Sequence, residues 1–404
     1  MYLVEQHIIT INDKRYKDLD RICLLSKNLY NAALYIIKQE FLSTGKWIRA
    51  AELNKKMIAD NNINYRAMSG SSSQQVLMAL DKNLKSYFSA IKAWKRDNKK
   101  FTGCPKLPKY KHKTKGRNVF SYSYAQFKHR GDFIYFPKKE GLLPLRTNCK
   151  EETVKQVRFV PKSDCYVIEV VYESIAKKKQ LDDNNRAMSI DLGVNNLASI
   201  VTNVSNRPIL IDGRRLKSIN QYYNKKRSDI QKQLKNVNGK ENSRQLMSLT
   251  RRRNNKVKDY LHKASKEIIN TCLKEDITTL IVGYNDGWKQ DASLGKRNNQ
   301  NFVSIPFEIF ISMLRYKSER QGLRFVEINE SHTSKCSSFD LEPVCHHDTY
   351  VGRRVRRGLF MTRDGVLINA DINGSYNIMR KVKGDAVMPP HTGFGYNPVK
   401  KFIN

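Results

Sequence analysis

The chain has 404 residues, 40% of them hydrophobic, enough for two or three packed domains and too apolar for a disordered polymer. It carries 74 Lys+Arg against 38 Asp+Glu, a formal charge of +36, and a pI of about 9.9. A surplus of this size repels itself unless a polyanion neutralises it, so nucleic acid is the expected partner. No apolar run reaches the ~18 residues of a membrane span, so no membrane partner is expected. The start, MYLVEQHIIT, has neither the basic residues nor the cleavage site of a signal peptide. The 7 cysteines are odd in number and scattered, which argues against a disulfide framework. The expected setting is the reducing cytoplasm of a prokaryote, on the nucleoid.

Residues 1–13 alternate apolar and polar and predict a strand. Two helical patterns follow within 14–97. The first carries Ile22, Leu25, Leu29, Ala33 and Ile36. The second opens at SSSQQ, where Ser72 and Gln75 have capping-box spacing, and continues through Val76, Leu80, Leu84, Tyr87 and Ile91. From residue 98 the texture changes to KKFTGCPKLPKYKHKTKGR, an extended basic loop. Short alternating segments come next: NVFSYSYAQF, DFIYFP, VKQVRFV and CYVIEVVYE. With the N-terminal strand they predict a β-barrel over 1–13 and 98–180, interrupted by the 14–97 helical insert. AKKKQLDDNNR reads as a linker, with a boundary near 181.

Beyond 181 the pattern is α/β. RAMSIDLGVNNLASIVTN is a strand ending in Asp191, a Gly turn and a second strand. Residues from about 214 to 273 are basic and helical. DITTLIVG, IPFEIFISMLRYKSERQG and LRFVEINE read as strand, helix and strand, a parallel crossover. NADINGSYNIMRKV reads as a helix starting beside Asp371. The expected fold class is therefore α/β plus a β-barrel and a helical insert. The α/β domain spans 181–333 and 359–385, a basic insertion 334–358, and a tail 386–404.

Two-metal phosphodiester hydrolysis needs carboxylates that converge on ions ~3.5–4 Å apart, and hard Mg²⁺ prefers such oxygen ligands. A lone Asp at a strand end more often satisfies a turn; the motifs supply the weight. SIDLGVNNLASI resembles the first RuvC motif, and NADINGSYNI the third, of the transposon-encoded TnpB nucleases. GCPKLPKYK and ESHTSKC are similar to further TnpB segments in the same order, so the resemblance runs along nearly the whole chain. It implies an RNase H-like (RuvC) domain after an N-terminal recognition lobe. It also implies an RNA-guided, Mg²⁺-dependent DNA endonuclease (with Mn²⁺ as a substitute) whose partners are a non-coding guide RNA and target double-stranded DNA.

This chain departs from the family at the second motif. There a Glu is usual at the end of the middle strand, and TTLIVGYNDGWKQ offers Gly283. Glu330, which ends LRFVEINE, is the expected substitute. Neighbouring strands lie ~4.8 Å apart, and Glu330 shares parity with Val326 and Ile328. Some TnpB proteins and the related eukaryotic Fanzor nucleases carry the Glu just before a TS motif, as ESHTS does here. Asp286 is the weaker substitute, and Glu327 falls on the opposite strand face. The implied catalytic and metal residues are Asp191, Glu330 and Asp371.

The family often has a paired CxxC zinc site between TS and the third motif. Here SKCSSFDLEPVCHHDTYVGRRVRRGLF keeps only Cys336, Cys345, His346 and His347, and a zinc-free insertion is expected. The expected nucleic-acid contacts are Lys106, Lys109, Tyr110 and Lys111 in the loop, with Arg214, Arg215, Lys225, Lys226, Arg227, Arg251, Arg252 and Arg253 on the basic helices. Arg353, Arg354, Arg356 and Arg357 in the insertion complete the set. Two alternatives stay open at this point: a nuclease-dead RNA-guided repressor, motivated by Gly283, and a compact type V CRISPR effector.

Overall fold

The structure is a computed structural model that describes residues 2–174, 179–239, 241–285, 304–388 and 398–403. Its contacts divide the chain into two compact units, Met1–Ile175 and Ala176–Asn404, a few residues before the boundary read from the linker composition.

In the first unit, β1 (Tyr2–Thr10) leads into α1 (Tyr16–Thr44), α2 (Ala50–Ala59), α3 (Ile63–Arg66) and α4 (Gly70–Arg96). The helical stripes are core: Leu19, Ile22, Leu29, Ala33 and Ile37 of α1 are buried with Val76, Leu80 and Leu84 of α4. α4 starts ahead of the expected capping box. Ser69 is the N-cap, and the Ser72 hydroxyl, already inside the first turn, accepts from Ser69 Oγ and from Gln126 Nε2.

The strands that follow are β2 (Phe120–Ser123), β3 (Lys128–Arg130), β4 (Phe133–Tyr135), β5 (Leu145–Arg146), β6 (Val154–Pro161) and β7 (Cys165–Glu173). They do not pair into one closed barrel. They form two open antiparallel sheets, β1-β7-β6-β2 and β3-β4-β5. The break falls where Ser123 and Gln126 close a capping box around a 3₁₀ turn, which takes the chain off the first sheet after Ser123↔Gln156.

The second unit is a mixed sheet in the order β12-β11-β8-β9-β10-β16. Its strands are β8 (Ala187–Leu192), β9 (Asn196–Thr202), β10 (Ile209–Asp212), β11 (Thr279–Gly283), β12 (Arg324–Ile328) and β16 (Val399–Lys401). β8, β9 and β10 form an antiparallel meander, and β11 runs parallel to both β8 and β12. The central strands are buried on both faces, which explains their nearly continuous apolar sequence. One face packs on α5 (Arg214–Asn238), α6 (Arg244–Lys274) and α7 (Phe307–Gln321); the other packs on α8 (Ala370–Lys383). The insertion contributes a small sheet of β13 (Arg353–Arg356), β14 (Leu359–Met361) and β15 (Leu367–Asn369). Part of the expected tail is structured: β16 adds parallel to β10 at the sheet edge.

Candidate active site

The site is built at the end of β8, just past the ends of β11 and β12, and at the start of α8. α8 is seated by a chain of hydroxyls. Ser189 Oγ donates to Ser375 O (2.7 Å), and Ser375 Oγ donates to Ser199 O (2.8 Å). Gly374 permits the approach, since a β-carbon there would lie 2.9 Å from Asp191 Oδ2. Asn369 caps the helix by accepting from Asp371 N and Ile372 N, which places Asp371 in the first turn, where the helix dipole favours an anion.

Glu330 reaches the same place from the neighbouring strand. β11 and β12 pair in the register Gly283↔Ile328, so Glu330 lies two residues beyond the partner of Gly283. A β-carbon on Gly283 would lie 3.1 Å from Glu330 Oε2 and 2.4 Å from Ile378 Cδ1 of α8. The Glu330 carboxylate and the Ile378 side chain thus take the space that a side chain at 283 would need. Asn285 braces this carboxylate, accepting from Glu330 N (3.2 Å) and donating to Oε1 (3.4 Å). Thr333 Oγ1 donates to Glu330 O (2.8 Å), and Lys381 Nζ donates to the carbonyls of Asn329 and Ser331 (2.9 and 2.8 Å). Glu327 faces away and pairs with Arg315 of α7. Asp286 lies outside the described residues.

The electrostatics follow from this crowding. Burial, then the charges of Glu330 and Asp371, hold the Asp191 carboxyl well above the usual carboxylate range, with Arg354 opposing. Burial pushes Glu330 up to about 7 against the pull of Lys381. Asp371 accepts from Asn196 Nδ2 (2.9 Å), and Arg354 of β13 stands 3.6 Å from its Oδ1.

Glu330 Oε2 is buried without a hydrogen-bond partner. Asp191, whose ionisation Glu330 and Asp371 oppose, and Glu330, with its orphaned oxygen, are oxygen donors of the kind a hard divalent cation takes. As the side chains stand, no group of three or more His, Cys, Asp or Glu among the described residues could hold a metal ion. The nearest cation to Asp371 among these residues is the Arg354 side chain.

The insertion is held together by hydrogen bonds. Buried Glu342 accepts from Ser337 N and Val351 N, and Asn373 and Asn377 of α8 donate to Cys336 O. Cys345 Sγ lies 3.4 Å from His347 Nε2, whereas His346 packs edge-on against His332 and Cys336 Sγ turns to Cys345 O.

The basic residues separate into two groups. Lys106, Lys109, Arg214, Arg215, Lys225, Lys226, Arg227, Arg252, Arg353, Arg356 and Arg357 are exposed, and Arg251 is half-buried. Tyr110 already lies under Lys38 (4.4 Å), and half-buried Lys111 lies over Tyr30 (5.1 Å), with burial lowering its ammonium pKa. Arg253 is structural, bonding Asn220 Oδ1 and Ser304 O. Asn196 and Asn285, which hold two of the acids, and Lys381, which holds the loop around Glu330, are not among the residues expected from the sequence. The signal for the asparagines was polar residues directly beside strand ends that are otherwise apolar.

Comparison with known proteins finds relatives over both halves of the second unit. The model of the OrfB_IS605 family, described as a probable transposase, matches residues 168–289, and that of the Cas12f1-like TNB domain matches residues 307–378. TnpB-like protein ORF457 of Acidianus two-tailed virus is 26% identical over 246 residues, 59% of this chain and 49% of that protein. The match thus spans about half of that relative's length. TnpB-like protein MJ0751 of Methanocaldococcus jannaschii is 29% identical over 218 residues, 50% of this chain and 72% of that protein. These matches support the resemblance to the TnpB family that the motifs carry.

Among solved structures, a Cas12f1–sgRNA–target DNA complex aligns over 93% of this chain and 98% of its own, with TM-score 0.37 and 14% identity. The mini-RNA-guided endonuclease CRISPR-Cas_phi3 aligns over 97% of this chain and 93% of its own, with TM-score 0.47 and 12% identity. No helix among the described residues is long and apolar enough to cross a membrane.

Proposed function

We propose that this protein is an RNA-guided DNA endonuclease with a rearranged RuvC-like, RNase H-like active site. The observation that carries the reading is the exchange between adjacent strands: Gly283 ends β11 with no side chain, and Glu330 Oε2 stands 3.1 Å from where its β-carbon would be. On this reading Asp191, Glu330 and Asp371 hold Mg²⁺, for which Mn²⁺ can substitute. Bound there, such ions polarise the scissile phosphodiester and lower the pKa of an attacking water.

The chain's own residues fix the acids. Asn285, Thr333 and Lys381 orient Glu330 and its loop, Asn196 orients Asp371, and Gly374 lets α8 approach Asp191. A non-coding guide RNA pairs with one strand of double-stranded DNA, in a near-balanced exchange for the DNA duplex. The N-terminal strands and helices (1–13, 14–97 and 98–180) read a short flanking motif. The exposed arginines and lysines hold the nucleic-acid backbone, and the basic insertion 334–358 does so without zinc.

The test is incubation of the purified ribonucleoprotein with guide-matched plasmid and Mg²⁺, with EDTA as the control. Cleavage that needs both guide and Mg²⁺ supports the reading. Tight guide-dependent binding without cleavage contradicts it and supports the repressor.

A further inference from the structure

Resting on the RNA-guided reading above, we infer that Asn31 and Lys27 of α1 are positioning residues: they hold the basic loop in a fixed shape that binds the guide RNA backbone. The loop between α4 and β2 is fastened along one face of α1. Asp20, Cys23, Lys27 and Asn31 follow one another at spacings of three and four residues, so they share that face. Asn31 bonds the backbone of Lys111 in both directions, donating to its O and accepting from its N, each at 2.9 Å. Lys27 Nζ donates to Lys113 O (2.5 Å), and Cys23 O accepts from Asn118 N (3.0 Å). Asp20 accepts from Arg117 Nε and Nη2 (2.8 and 2.7 Å).

The turn between these anchors is closed from within. His112 Nδ1 accepts from Thr114 N (3.2 Å) and Lys115 N (3.1 Å), and Arg117 Nη1 donates to Thr114 O and Gly116 O (2.9 and 2.8 Å). Gly116 is required here, since a β-carbon would lie 2.5 Å from His112 O. The result is a braced segment whose lysines Lys109, Lys113 and Lys115 are exposed.

This fastening works against electrostatics. No Asp or Glu occurs from residue 98 to residue 131. Arg117 has an acid partner, Asp20, but that pair serves as an anchor. Lys27 is only 3% exposed, and the charges acting on it are Arg117 and Lys113, both cations; burial first, then these two, lower its ammonium pKa. A buried ammonium that meets a carbonyl and other cations is costly. The chain's own bonds thus gather like charges that its own acids do not neutralise, and a polyanion offsets that cost. An arm braced in advance suits a resident polyanion. On the proposed function guide RNA is resident while target DNA comes and goes, so the occupant is the RNA.

The occupant is tested by lysine acetylation, read by mass spectrometry, on the full-length protein purified with its cellular nucleic acid. Lys109, Lys113 and Lys115 should be protected, and should lose that protection after RNase treatment but keep it after DNase treatment. Unchanged reactivity after RNase, or exposure by DNase instead, overturns the inference. Cleavage plays no part in this test. Protected lysines beside an uncut plasmid would remove the nuclease reading alone, and unprotected lysines beside a cut plasmid would remove the RNA arm alone.

The positioning role is read by fluorescence anisotropy with a single-stranded RNA of mixed sequence. Lys109→Gln/Lys113→Gln/Lys115→Gln should reduce the slope of log affinity against log salt by about 2, three phosphates at ~0.7 each. Asn31→Ala removes no charge. It should weaken binding about tenfold beside the wild-type lysines and by less than about twofold in the triple variant, because it acts through them. Lys27→Met should follow the same pattern. The lysine triple and the acetylation pattern do not depend on how well Asn31→Ala folds. A triple variant with the wild-type slope, or an Asn31→Ala cost that is the same with and without the lysines, overturns the inference.

Discussion

Substituting Gly283 by alanine tests directly whether the space beside it is needed by Ile378 and Glu330. The new β-carbon would meet Ile378 Cδ1 at 2.4 Å, Ile378 Cγ1 at 3.1 Å and Glu330 Oε2 at 3.1 Å. Ile378 is fully buried, so its methyl has no solvent to retreat into. Overpacking of this kind costs ~1–3 kcal/mol. The lost freedom of glycine in the unfolded chain offsets ~0.4–1 kcal/mol of that, leaving a net destabilisation of about 1–2 kcal/mol.

Ile378→Val removes Cδ1 and alone costs ~0.5–1.5 kcal/mol. In the Gly283→Ala background it should cost about 1 kcal/mol less, because it relieves the clash. Amide exchange in Thr279–Gly283 and Ala370–Lys383 reads these local free energies without requiring the whole chain to unfold in one step. If the two substitutions add to within ~0.5 kcal/mol, the packing argument is refuted.

Arg354→Gln removes the cation beside Asp371 and should tighten Mn²⁺ binding, measured by electron paramagnetic resonance, by about two- to fivefold, as expected for an exposed ion pair; weaker binding would show that Arg354 does not compete with the metal. Asn285→Ala and Asn196→Ala should each lower Mn²⁺ affinity about 10- to 100-fold by releasing Glu330 and Asp371, and an unchanged titration would remove them from the site. Lys317, half-buried against α6 and donating to His262 O and Ser265 Oγ, is held by desolvation at about 8, below its usual 10.5. A depressed lysine penalises the fold while it is charged in both states, below about 8. Stability should therefore rise as pH goes from about 8 to 10.5, and Lys317→Met should flatten that rise in a thermal-unfolding series.

The α/β half was legible because its apolar runs are bounded by glycines and polar turns, which fixed β8, β11, α7 and β12 and placed Asp191 at a strand end. Glu330 was legible through parity: knowing that the two strands run parallel, a register two residues past Gly283 follows. Other features depended on tertiary placement. Nothing local marks Arg354 as the residue that meets Asp371, since its strand is exposed throughout and reaches the acid only through the β13–β14–β15 sheet. Lys111 and Tyr110 look like a free cation and ring in the sequence, yet α1 supplies Tyr30 and Lys38 to cover them. The expected barrel failed at a single capping box, Ser123–Gln126, whose turn chemistry outweighed the strand pattern around it. β16 was missed because three residues of VKK carry too short an alternation to predict a strand.

The most direct measurement is guide-directed plasmid cleavage by the wild-type ribonucleoprotein beside Glu330→Gln and Glu327→Gln. The account predicts that Glu330→Gln loses about 100-fold or more in rate while still binding guide and target, because it removes an acid from the metal-holding set. Glu327→Gln, on the opposite strand face and paired to Arg315, should cut like wild type. Equal cleavage by Glu330→Gln and wild type would contradict the account.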